Sequence, residues 1–124
     1  MIETYDKMVK VRIIFVLSKH SGEENRISRS ELLSKVRRLI YSKKHGSLSD
    51  RKLRMFIEEL RTTDTDGAWI CASLKGGYFL ARDLKELEWF TDSDFRRALN
   101  TLTRVRKQRA AASLLVSPQL ELEI

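Results

Sequence analysis

A mainly α-helical fold with one small β-hairpin and a long final helix is what this 124-residue sequence predicts. Three observations lead there. The stretches "ISRSELLSKVRRLI" and "LSDRKLRMFIEELR" each open with a complete helix start signal and continue with apolar residues at helical spacing. Two short β-prone runs flank "LKGG", where glycine permits a tight turn. The last third keeps a helical apolar period and meets its first proline only at Pro118.

Taken in chain order, Val9 to Leu17 is rich in β-branched residues but reads as a helix that ends at Gly22, a residue suited to the position past a helix C-terminus. In the next helix Ser28 caps, Glu31 three residues on completes a capping box, and Ile27 packs on Leu32 as a hydrophobic staple. Leu32, Leu33, Val36, Leu39 and Ile40 mark its apolar face. The third helix repeats the pattern, with Ser49 as cap and Leu48 and Leu53 as staple. Leu53, Phe56, Ile57 and Leu60 form its apolar face. "YSKKHGS" connects the two. Residues 68–73 and 78–81 then form the hairpin, with Lys75 at its tip.

The formal net charge is +7, which favours a polyanionic partner, because neutralising phosphates releases counterions. One cysteine, Cys71, cannot form an internal disulfide. The apolar run near the start, Ile13 to Leu17, is too short to span a membrane, and no small-residue cleavage site follows it. The expectation is a cytoplasmic protein with no membrane association.

Helix, helix, helix and hairpin in this order resembles the winged helix-turn-helix fold. "ISRSELLSKV", "LSDRKLRMFIEELRTT" and "WICASLKGGYFLA" resemble in particular the winged helices of bacterial repressors of the biotin-repressor type. They are also similar to small winged-helix proteins encoded near phage replication genes. The resemblance covers roughly residues 9–82. It implies that the helix capped by Ser49 is a recognition helix, that "GGY" opens the second strand of the wing, and that the partner is double-stranded DNA. The long 41–48 connection departs from the family pattern.

On the third helix, the face opposite the apolar one centres near Arg51 and Met55, flanked by Lys52 and Arg54. All lie in the first half, the part that a recognition helix places in the major groove. With Ser49, with Lys43 and Lys44 of the connection, and with Lys75, they are the candidate DNA contacts. Lys35, Arg37 and Arg38 add charge nearby. The competing reading is an ordinary solvated helix whose cations pair with Glu58 and Glu59. In that case the chain is a protein-interaction module without DNA binding.

Nothing assembles an enzyme. His20, His45 and Cys71 are too few ligands at no metal spacing, and "KGG" lacks the context and ending of a phosphate loop. No carboxylate pair is placed for acid–base work. The expectation is no catalysis, no cofactor and no metal.

Residues 83–116 read as a helix or kinked helix pair. Asp83 with Glu86 is one start signal; Thr91 as cap, with Phe90 and Phe95 as staple, is a second. Phe95, Leu99, Leu102 and Val105, together with Ala98, form an apolar stripe. It either packs on the preceding domain or joins two copies in a homodimer. "RVRKQR" (104–109) is a third candidate, for phosphate contact.

Beyond Pro118, residues 117–124 read as an extended tail. Its "QLELEI" is similar to the hexapeptide with which bacterial replication proteins bind the sliding clamp. The resemblance makes Gln119 the anchor and places Leu122 and Ile124 in an apolar pocket, with Leu120 on the same side. A strand added to a hairpin edge accounts for the alternation equally well.

Overall fold

The computed structural model describes residues 2–40 and 48–114. Lys43, Lys44 and His45 of the connection, and Gln119, Leu120, Leu122 and Ile124 of the tail, lie outside the described residues. The elements are α1 (Ile2–Leu17), α2 (Arg29–Leu39), α3 (Asp50–Thr63), β1 (Ile70–Ala72), β2 (Tyr78–Leu80) and α4 (Leu84–Ser113). Short 3-10 turns occupy Glu23–Asn25 and Gly67–Trp69. The fold is mainly helical with one antiparallel hairpin, and its contacts divide it into two compact units, Met1–Leu87 and Glu88–Ile124.

At three helix starts the cap side chain makes the bond that the sequence predicts, although at Ser28 the Glu31 carboxylate does not return the second bond of a capping box. Ser28 Oγ accepts from the Glu31 N–H at 3.2 Å, Ser49 Oγ from the Lys52 N–H at 3.1 Å, and Asp83 Oδ1 from the Glu86 N–H at 2.8 Å. Each satisfies a donor that the first helical turn leaves without a backbone partner. Glu86 does not close its box on Asp83. Its carboxylate accepts instead from the Arg82 N–H at 2.7 Å and the Glu23 N–H at 3.3 Å, which ties the start of α4 to the turn before α2.

The core of the first unit lies where α1, α2 and α3 meet. Tyr5, Val9, Ile13, Val16 and Leu17 come from α1, Leu32 and Val36 from α2, and Leu53, Phe56, Ile57 and Leu60 from α3. The staple residues Ile27 and Leu48 join them, which fixes how the chain enters α2 and α3. Burying each of these larger side chains stabilises the fold by roughly 1.5–3 kcal/mol. Leu33, Leu39 and Ile40 pack only partly, at the margin.

Two expectations, on α1 and β1, are corrected, and on α4 the structure takes one of two alternatives. First, α1 stops at Leu17, five residues before Gly22. The backbone there is drawn into sheet pairing: Leu80 N–H donates to His20 O at 2.9 Å, and Gly22 N–H donates to Leu80 O at 2.8 Å. Gly22 does adopt a positive φ of 87°, but to open the Glu23–Asn25 turn and not to close a helix. Second, α4 runs without interruption through Thr91. No glycine or proline lies between Leu84 and Ser113 to break it, and the Ser93 hydroxyl bonds back to Trp89 O at 2.9 Å within the helix. Third, β1 begins only at Ile70, because Gly67–Trp69 is a 3-10 turn.

In the hairpin, Ile70 faces Leu80, Cys71 faces Phe79 and Ala72 faces Tyr78. The outer edge of β2 is covered, too. Ile27 and Tyr78 exchange both backbone hydrogen bonds at 2.9 Å, and Ser21 bridges Leu80. The segment before α2 therefore acts as an irregular third strand, a pairing with no local sequence signal. It also protects an edge that would otherwise invite intermolecular pairing.

Candidate nucleic-acid interface

The exposed side of α3 follows from its buried side. Because Leu53, Phe56, Ile57 and Leu60 point into the core, Arg51, Lys52, Arg54 and Met55 are left exposed in the helix's first half. Ser49 is exposed as well, but its hydroxyl is engaged as the cap. Asp50 in the first turn suits the positive end of the helix dipole.

The i,i+4 ion pair within this helix joins Arg54 to Asp50 of the first turn. Arg54 reaches back to Asp50 at 3.4 Å and does not go forward to Glu58. Glu59 pairs with Lys10 of α1 at 2.7 Å, and the Lys10 ammonium also lies 5.9 Å from the Phe56 ring centre. Among the described residues, neither Arg51 nor Lys52 has an ion-pair partner. Two of the three cations are thus unengaged, and the third shares one carboxylate.

The other claimant on that carboxylate is Arg29, whose Nε lies 2.8 Å from Asp50. Arg29 opens α2, so this pair joins the starts of the two helices and brings a fourth cation beside the basic face. Sequence reasoning missed Arg29. Its position one residue after a cap gave no sign that it would meet Asp50 across a tertiary contact.

Lys75 stands on the hairpin tip with Leu74 and Gly76, all exposed. The tip is held by a compact set of bonds. Ser73 N–H donates to Gly77 O and Gly76 N–H to Ser73 O, both at 3.0 Å, while the Lys75 N–H donates to Ser73 Oγ at 3.1 Å. The Ser73 hydroxyl in turn donates to Glu23 Oε2 at 2.8 Å. A polar cleft lies between this tip and the start of α2, lined by Arg26, Ser28, Lys75 and Gly77 among others.

The remaining basic residues divide by role. Arg37 Nε donates to Leu48 O at 2.7 Å, so this cation positions the chain's entry into α3. Lys35 and Arg38 are exposed and line a shallow depression with Phe15 and Lys19, where the Lys19 ammonium lies 4.8 Å from the Phe15 ring centre. In the second unit, Phe95, Leu99 and Leu102 of α4 are 64%, 46% and 46% exposed, and Val105 is half-buried.

Two residues considered for chemistry have local structural roles. Cys71 is buried in β1, and His20 Nδ1 lies 2.8 Å from Asn25 O. Among the described residues, no three His, Cys, Asp or Glu side chains come together as metal ligands, and no helix is long and apolar enough to cross a membrane. The arrangement offers cationic donors on a rigid helix and a basic loop tip, suited to holding an extended polyanion. No protein-family model, curated protein or solved structure matches this chain.

Proposed function

We propose that the chain is a double-stranded-DNA-binding protein of the winged helix-turn-helix type, regulatory or replication-associated, acting by occupancy and recruitment and not by chemistry. The observation that carries this reading is the first half of α3, where Arg51, Lys52 and Arg54 stand exposed, Arg51 and Lys52 without an ion-pair partner among the described residues and Arg54 sharing Asp50 with Arg29. The element order supports it: α1, the paired 20–27 segment, α2, α3, then a hairpin with a lysine at its tip. In this reading α3 enters the major groove by its N-terminal end. An arginine there makes two hydrogen bonds to guanine, and the lysines neutralise phosphate. Glu58, exposed one turn further on, keeps the approach shallow.

Titration of labelled duplex DNA at several salt concentrations tests this. Affinity should fall by about a hundredfold between roughly 50 and 200 mM salt if about four phosphates are neutralised. Negligible binding at low salt would remove DNA from the function and leave a protein-interaction module.

Recruitment would fall to the segment after Pro118. By its resemblance to the clamp-binding hexapeptide, Gln119 anchors it to a bacterial sliding clamp while Leu122 and Ile124 fill an apolar pocket. A labelled tail peptide should raise its fluorescence anisotropy with purified clamp. Gln119→Ala and Leu122→Ala should each weaken binding by roughly tenfold, as truncated anchor residues do. Equal binding by all three peptides would end the clamp reading.

A further inference from the structure

The exposed stripe on α4 continues in both directions as charge. At 100° per residue, Glu88, Asp92, Phe95, Leu99, Leu102, Arg106 and Arg109 all fall within a strip about 100° wide, with Ala98 and Val105 at its edge. Read along the helix, the strip is acidic for two positions, apolar through its centre and basic for two positions. Phe95, Leu99 and Leu102 are half to two-thirds exposed. Among the described residues, Glu88, Asp92, Arg106 and Arg109 have no ion-pair partner.

We infer that this strip is a self-complementary surface for a second copy of the chain, paired antiparallel about a two-fold axis near residues 98 and 99. In that register Phe95 meets Leu102 of the second copy, and Ala98 meets Leu99. Glu88 falls opposite Arg109, and Asp92 falls within one residue, about 1.5 Å of rise, of the position opposite Arg106. Every contact recurs in reverse across the axis, which is what a closed two-fold interface requires. A parallel pair would bury the same apolar centre but set Glu88 against Glu88 and Arg109 against Arg109. The charges therefore select the orientation, and the apolar centre drives association. The small Ala98 opposite Leu99 at the axis lets the two helices approach closely.

The test uses the full chain without DNA, so its outcome is independent of the proposed function. Light scattering should give twice the chain's 14.5 kDa. Spin labels fix the orientation when introduced by Asn100→Cys or Ala111→Cys in a Cys71→Ala background. Both positions lie away from the strip. Antiparallel pairing separates two labels at position 100 by only ~5 Å along the axis and two at position 111 by ~38 Å, whereas parallel pairing gives equal separations. Leu102→Asp should give a monomer of unchanged helix content. Because that substitution also alters an apolar residue, charge reversal supplies a second readout. Glu88→Lys with Asp92→Lys should weaken the dimer roughly tenfold or more, and adding Arg106→Glu and Arg109→Glu to the same chain should restore it. A wild-type monomer at hundreds of micromolar, equal label separations at the two positions, or no rescue by the fourfold reversal would overturn the proposal.

Discussion

Replacing Arg51, Lys52 and Arg54 together with alanine is expected to lower specific DNA affinity by at least about a hundredfold while leaving the protein folded. Each arginine that makes two bonds to a guanine contributes roughly 1–3 kcal/mol of discrimination, so two such contacts account for a loss of that size. Each lost phosphate contact also lowers the salt slope by about one. The fold has little to lose. All three side chains are exposed, alanine is the best helix former, and the surface pair of Arg54 with Asp50 is worth at most ~0.5 kcal/mol. Asp50 keeps Arg29 as a partner after the change. A matched variant lacking Arg96, Arg104 and Lys107, three exposed cations of α4, separates local contact from net charge. If it loses as much affinity as the α3 variant, net charge and not local contact at α3 accounts for the loss. If the α3 variant melts normally and binds DNA as before, α3 is not the reading helix.

How much of this was legible in the sequence depends on the range of the interaction. Ser28, Ser49 and Asp83 declared their helix starts because a cap and the N–H that it satisfies lie three residues apart. The buried face of α3 was readable in full from the spacing of Leu53, Phe56, Ile57 and Leu60, and the exposure of Arg51, Lys52 and Arg54 follows from it. What was not legible is tertiary. Gly22 has the conformational freedom of a helix terminator, yet α1 ends where β2, some sixty positions later, competes for the backbone of His20 and Gly22. Glu59 and Arg37 looked like surface charge and turned out to be committed, one to Lys10 and the other to the carbonyl of Leu48. Arg29 looked like part of α2 alone and lies beside the basic face of α3. At Thr91, where the sequence left a single helix and a kinked pair open, the helix is continuous. Thr91 matched a cap motif, but a motif without a helix breaker nearby does not end a helix.

The hairpin glycines give the second large expected effect, on stability. Gly77→Ala should destabilise the protein by about 3 kcal/mol or more, and Gly76→Ala by only about 1–2 kcal/mol, although the two residues are adjacent and both have positive φ. At Gly76, with φ 99°, an added Cβ meets nothing within 4 Å, so the cost is the strain of a left-handed alanine alone. At Gly77, with φ 85°, the same strain is joined by a collision, because the Cβ would lie 2.4 Å from the carbonyl oxygen of Ile27 and 3.3 Å from the Cα of Ser28. Both of those atoms are backbone and cannot rotate away. Relief requires the hairpin to move off the 20–27 segment, which breaks the two 2.9 Å bonds between Ile27 and Tyr78 at about 0.5–1.5 kcal/mol each. Ile27 is also the staple of α2 and a core residue, so its displacement reaches the interior. Urea unfolding of the two variants against the parent protein measures the difference. Equal destabilisation would mean that the hairpin does not sit against Ile27 as described. If the gap appears, the Gly77 variant should also bind DNA less well than the Gly76 variant under conditions where both are folded, because Lys75 is carried by the loop that Gly77 anchors.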